Sequence, residues 1–183
     1  MHGVTKKKER ILYENFLPED QFENLRSVVT HQNFPWQHRV GAVVEDGDGD
    51  VAWSNVIVNN YGPTTEDFKY FTPILDKVNA IACIRIKCNL DLKVHEMLVP
   101  TGFHTDTEVH GNGLWSMCIY LDDSNGATIF EKDKAPVRSK RNRAIIFPSG
   151  LSHSGARQTD TDTRFVINVN FVSHKLPEGG KKF

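Results

Sequence analysis

His104 and Asp106 stand two positions apart in GFHTDTEVHGNGLWSMCIY, just ahead of a run that reads as a strand. Side chains at i and i+2 of an extended chain project to the same side, so this imidazole and this carboxylate could meet one ion. With 8 histidines in 183 residues, one His-x-Asp pair is unsurprising by chance and decides nothing alone. A distant third ligand would turn the pair into a site. The best candidate is His153, in the turn after the apolar run AIIFPS, provided the fold returns distant strands beside each other. Two imidazoles and one carboxylate on one face of an octahedron leave positions open, which suits a non-haem Fe(II) that activates oxygen. A structural zinc site would close all four of its positions instead.

Arg164 opens TRFVINVNF, an alternating run that sends Arg164, Val166, Asn168 and Asn170 to one face and Phe165, Ile167, Val169 and Phe171 to the other. A solvated strand end accounts for such an arginine, and so does a two-pronged clamp for a carboxylate. Successive polar residues facing inward would be costly in a dry core, so a wet cavity explains Asn168 and Asn170 better. An ion with open positions beside a carboxylate clamp is what a keto acid needs, because one end chelates the metal while the other is anchored.

The elements that must position these residues follow from periodicity. ENFLPEDQFENLRSVVTH carries Phe22, Leu25, Val28 and Val29 at helical spacing, with Glu19 and Asp20 near the positive end of the dipole. RVGAVVE and VAWSNVIV, separated by DGDGD, predict a hairpin. That turn lacks the glycine and glutamate positions of a calcium-binding EF-hand loop. Residues 63–79 put Phe68, Phe71, Leu75 and Val78 on one stripe, with Thr64 or Thr65 as cap and a restart at Pro73. IACIRIKCNL, LWSMCIYL, ATIFE, RAIIFPS and TRFVINVNF then read as strands. Two helical segments followed by many short strands predict a mainly β fold, a jelly roll or double-stranded β-helix with supporting N-terminal helices. Length and composition favour one domain spanning 1–183, with helices and supporting strands in 1–100, the site-bearing core in 101–173 and a tail in 174–183.

HTD, CIYLDDSNGATIFE, RAIIFPSGLSHSG and TRFVINVNF together resemble the Fe(II)/2-oxoglutarate-dependent dioxygenases, in particular the prolyl-4-hydroxylase-like branch and its small bacterial and phage members. The family order is His-x-Asp, a distal His and a basic residue about ten positions later, which His104, Asp106, His153 and Arg164 match. The resemblance implies that His104, Asp106 and His153 bind Fe(II) and carry catalysis, and that Arg164 holds the far carboxylate of 2-oxoglutarate. It further implies that Tyr120 hydrogen-bonds that carboxylate and that Asn168 lies beside the cosubstrate. The reaction it implies consumes O2, converts 2-oxoglutarate to succinate and CO2, and hydroxylates a C–H bond, with ascorbate as a stimulant. The family often has a tyrosine on the strand before His-x-Asp. IRIKCNLDLKVHEMLVP offers none, and Asn89 or Lys93 is the expected substitute.

Two readings from other classes stay open at this point. One is a cupin-like isomerase or hydrolase using zinc or manganese, and the other a jelly-roll binding module without catalysis. A net charge of −1 gives no overall field to recruit nucleic acid or an anionic membrane. The basic run at residues 132–143 reads as a solvated loop, and His95 and His110 read as loop histidines. Trp36 and Trp53 could line the mouth of the cavity or fill the core. The odd count of cysteines, Cys83, Cys88 and Cys118, argues against a disulfide framework. No signal peptide or spanning segment is visible, so a cytoplasmic location is expected. The expected partners are the keto-acid cosubstrate and a primary substrate that is a peptide or a small metabolite.

Overall fold

A computed structural model describes residues 10–40, 51–95, 102–107, 111 and 113–182. The turn expected at residues 46–50, His110 and the charged residues 1–9 lie outside them. In the first part of the chain a helix separates strand β1 (Ile11–Tyr13) from β2 (Gln37–Val40), β3 (Val51–Asn59) and β4 (Gly62–Pro63), and two further helical segments follow β4. The long β5 (Ala82–Leu92) and β6 (Leu114–Tyr120) flank the segment bearing His104 and Asp106. After them come β7 (Ala127–Phe130), β8 (Pro136–Arg138), β9 (Arg143–Pro148), β10 (His153–Ala156), β11 (Thr163–Val172) and β12 (Lys181–Lys182).

The described residues form two antiparallel sheets. The larger has the order β12-β1-β9-β6-β11-β5-β3-β2, with β4 on β3, and the smaller has the order β10-β7-β8. Such a crossing order puts β11, late in the chain, between β6 and β5, and so carries Arg164 back beside earlier strands.

The helices stabilise the outer face of the large sheet. Helix α1 (Glu19–Val29) begins after Pro18, places Glu19 and Asp20 in its first turn and Arg26 in its last, and buries Phe22, Leu25 and Val29. A 3-10 turn, Glu66–Tyr70, is capped by Thr65, whose hydroxyl accepts from the Asp67 amide. Helix α2 (Thr72–Lys77) restarts with proline in its first turn, as the sequence suggested. Phe71, Ile74 and Val78 join Ile167, Val169 and Phe171 of β11 in the main core. Each fully buried side chain of this kind contributes about 1.5–3 kcal/mol. Trp36 packs on Phe34 and Phe165 at the edge of this core.

The opposite face of β11 looks into the space between the sheets, where Cys118, Tyr120, Phe130, Val137, Ile145, Phe147 and Val166 form a second cluster. Parity along β11 is kept through the site. The one register shift against β5 falls between Asn170 and Phe171, beyond Arg164, Val166 and Asn168.

Two expectations are corrected. Residues 132–143 are no solvated loop: they contain β8, which buries Val137, and Asn142, whose side chain closes both a donor and an acceptor bond with the Leu17 backbone. Three of the run's six basic residues, Lys140, Arg141 and Arg143, pair with Glu14, Glu19 and Glu23 of the N-terminal segment and α1. His153 does not sit in a turn but opens β10, a strand too short and too glycine-rich to show a period.

Candidate metal centre

His104 pairs with His153 in an isolated antiparallel bridge, exchanging both backbone hydrogen bonds at 2.9 Å. This bridge lengthens the small sheet by one partner and sets the two imidazoles side by side, with ring centroids 4.8 Å apart. The His153 Nδ1–H donates to the Leu151 carbonyl at 3.0 Å, and His104 Nδ1 lies 3.3 Å from the Gly102 carbonyl. Each ring is thereby turned so that Nε2 is its outward nitrogen. The Phe147 ring meets His153 edge-on at 4.6 Å and fixes its plane.

Asp106 completes the group: one ligand atom each from His104, Asp106 and His153 lie within 4.8 Å of one another. Its Oδ1 is 3.3 Å from Arg85 Nη2, and Ser116 and Asn170 also hydrogen-bond the carboxylate. Its Oδ2 faces His153 Nε2 at 3.8 Å. Burial would raise the Asp106 carboxyl, but His153, Ser116, Arg85 and Asn170 outweigh it and hold it below the usual carboxylate range. Burial lowers His153 below the ordinary imidazole value, so at neutral pH Nε2 carries a lone pair. That buried nitrogen has no hydrogen-bond partner among the described residues. An orphaned lone pair, a second outward imidazole and an ionised carboxylate are the donor set a divalent cation takes, and three protein ligands leave coordination positions open.

A cavity of about 210 Å³ runs from this group along the faces of β5 and β11. Its walls include Asn168, Lys87 and Cys118, which the strand register sets side by side. Burial pushes the Cys118 thiol up to about 12, so it is a neutral wall. At the far end lies Arg164, only 2% exposed. Its Nε donates to Ser139 Oγ at 3.0 Å and its Nη1 to Asp91 Oδ2 at 2.7 Å. Gly126 makes room for it: a Cβ there would stand 2.7 Å from Arg164 Cδ.

Tyr120 is fully buried beneath Arg164, whose guanidinium carbon lies 5.5 Å from the ring centroid. Its hydroxyl donates to Thr128 Oγ1 at 2.8 Å, with the Val137 carbonyl 3.3 Å away. The wall of the cavity at this level is thus Thr128, not Tyr120. Asn170 is tied to Arg85 and Ser116 and buttresses Asp106. Asn89 lines the cavity, whereas Lys93 is exposed beyond the end of β5 and His95 is exposed as well.

Sequence reasoning passed over Arg85, Lys87 and Asp91. With Asn89 they form one face of β5, directly opposite Asn170, Asn168, Val166 and Arg164 of β11. The signal was present as strict alternation in RIKCNLD, but charged residues at every second position ordinarily mark a face turned to water.

No family model and no curated protein matches this sequence. Solved structures match it by shape. An oxidoreductase of the 2OG-Fe(II) oxygenase family from Burkholderia pseudomallei has TM-score 0.65 at 13% identity, over 92% of this chain and 87% of that one. A prolyl-4-hydroxylase from Pseudomonas putida gives 0.64 at 15% identity, over 92% and 94%. SnoN, a non-heme alpha ketoglutarate dependent epimerase from nogalamycin biosynthesis, gives 0.62 at 12% identity, over 90% and 77%; another structure of SnoN holds Fe3+ and alpha ketoglutarate. At such identities the likeness speaks for architecture, and this chain has the mainly β, jelly-roll fold of the 2OG-Fe(II) oxygenases.

Proposed function

We propose that this chain is an Fe(II)- and 2-oxoglutarate-dependent oxygenase that hydroxylates a C–H bond of a small molecule or of a peptidyl prolyl residue. The carrying observation is the convergence of His104, Asp106 and His153, with the unpartnered Nε2 of His153 among them, at one end of a cavity that has Arg164 at the other. The shared fold supports the same reading. Iron supplies the oxygen chemistry when bound, and the overall change is R–H + O2 + 2-oxoglutarate → R–OH + succinate + CO2.

The protein's part is position and exclusion. His104 and His153 present Nε2 because their Nδ1 atoms are engaged with backbone carbonyls. Asp106 presents Oδ2 because Arg85 engages Oδ1. Arg164 grips the far carboxylate of the keto acid, and Asn168 and Lys87 flank its middle. Tyr120 supports Arg164 from below and orients Thr128 at the wall. At about 210 Å³ the cavity is smaller than the roughly 300–1,000 Å³ of pockets for drug-sized ligands, which suits a five-carbon acid. The primary substrate must then approach from the metal end.

Release of one succinate per product from 2-oxoglutarate, with Fe(II), O2 and ascorbate, tests the reaction class. A metal-dependent turnover without succinate would favour the cupin-like isomerase or hydrolase, and product analysis separates hydroxylation from epimerisation.

A further inference from the structure

Arg164 is already partnered at the end where the proposed cosubstrate is anchored. A guanidinium offers two forks to a carboxylate, Nε with Nη2 and Nη1 with Nη2. One nitrogen of each fork is engaged, Nε by Ser139 at 3.0 Å and Nη1 by Asp91 at 2.7 Å. Each Nη carries two hydrogens, so a carboxylate that takes the Nη1–Nη2 fork either displaces Asp91 or is brought against it on the same guanidinium. Asp91 carries the same charge as the arriving group and is repelled by it, whereas the neutral Ser139 hydroxyl is not.

Asp91 is also placed to leave. Its side chain is 25% exposed while that of Arg164 is 3% exposed, so the carboxylate sits on the water side of the buried cation. It is the next-to-last residue of β5, followed by the exposed Leu92 and Lys93. A swing outward returns it to solvent without uncovering the core. In its present position it neutralises Arg164, just as Asp106 faces Arg85 at the other end of the cavity.

We propose that Asp91 is the residue that sets affinity for the dicarboxylic keto acid: it holds Arg164 in the free protein, and the far carboxylate of the acid replaces it. This rests on the function proposed above. It has a consequence for selectivity, because a keto acid without a far carboxylate does not pay for the exchange and is indifferent to Asp91.

The test is calorimetric titration of the Mn(II)-loaded protein, under nitrogen, with 2-oxoglutarate and with 2-oxobutyrate. Asp91→Asn keeps a hydrogen-bond acceptor for Arg164 and removes the charge. It should tighten 2-oxoglutarate binding by about tenfold or more and leave 2-oxobutyrate binding unchanged. In an Arg164→Met background the gain for 2-oxoglutarate should shrink well below that seen with Arg164 present, because no clamp is left to release, and 2-oxobutyrate binding should again be unchanged. Weaker or equal binding of 2-oxoglutarate by Asp91→Asn, with wild type binding normally, would make Asp91 a fixed support of Arg164 and overturn the inference. Failure of wild type to bind 2-oxoglutarate while Mn(II) binds would overturn the proposed function and this inference together.

Discussion

Gly126→Ala acts on the clamp end of the site without touching any of the three candidate metal ligands. The added Cβ would lie 2.7 Å from Arg164 Cδ, against an ordinary contact of at least 3.4 Å, so the arginine must retreat by about 0.7 Å. It cannot retreat freely, because Nε is bound to Ser139 and Nη1 to Asp91, and the Tyr120 ring lies beneath. The Ala156 carbonyl, 3.2 Å from the same Cβ, blocks relief by a shift of the glycine itself. Overpacking of this kind costs about 1–3 kcal/mol. If the strain goes into displacing the guanidinium, affinity for 2-oxoglutarate falls between about fivefold and about 150-fold. None of His104, Asp106 and His153 is among the atoms met by that Cβ, so Mn(II) affinity should stay at the wild-type value. Parallel titrations of metal and of 2-oxoglutarate, with a melting curve to show that the variant folds, make the measurement. Unchanged 2-oxoglutarate affinity in a folded Gly126→Ala variant would refute the placement of the far carboxylate at Arg164.

His104→Ala, Asp106→Ala and His153→Ala should each abolish metal binding, read by titration calorimetry, while circular dichroism stays native; full turnover in the His153 variant would sink the ligand assignment. Arg164→Lys keeps the charge but not the fork, so 2-oxoglutarate affinity should fall by about tenfold or more with metal affinity unchanged. Chelation by EDTA should stop succinate release, and added Fe(II) should restore it. Burial raises the Asp122 carboxyl from 3.8 to about 6. Its protonated form is favoured by folding, so its contribution to stability is present below 3.8 and lost as pH rises through about 6. The melting-temperature difference between wild type and Asp122→Asn should change across that window and be flat above it, and a difference independent of pH would show that Asp122 does not titrate there.

The sequence was most informative where one face of a strand differs plainly from the other. TRFVINVNF disclosed both its core face and its cavity face, because phenylalanine, isoleucine and valine alternate with arginine and asparagine, and no bulge intervenes before Asn170. Thr65 and Pro73 marked a helical break because a cap and a missing amide act locally. The small sheet was hard to read. HSGA and PVR are too short for a period, and their strand character comes from pairing with β7, a partner named only by the fold. The basic run at residues 132–143 misled because its acidic partners, Glu14, Glu19 and Glu23, lie more than a hundred positions earlier. Face β5 was passed over for a related reason. Arg85 and Asp91 look like surface charges until β11 and the metal-ligand segment supply Asp106 and Arg164 as counter-charges.

The two histidines belong to the small sheet, whereas Arg164, Asn168 and the Arg85, Ser116 and Asn170 side chains that hydrogen-bond Asp106 belong to the large one. The distance from metal to clamp is therefore not a property of either sheet but of the gap between them, which is held open by Phe130 and Val137 on one side and Tyr120, Ile145, Phe147 and Val166 on the other. These apolar side chains act as the spacer of a caliper. Shortening a member whose side chain carries no polar atom, such as Val137 or Ile145, would change the length of acid the site accepts without removing a side-chain hydrogen bond. Keto-acid chain-length preference in this protein should accordingly be tunable from the dry part of its interior.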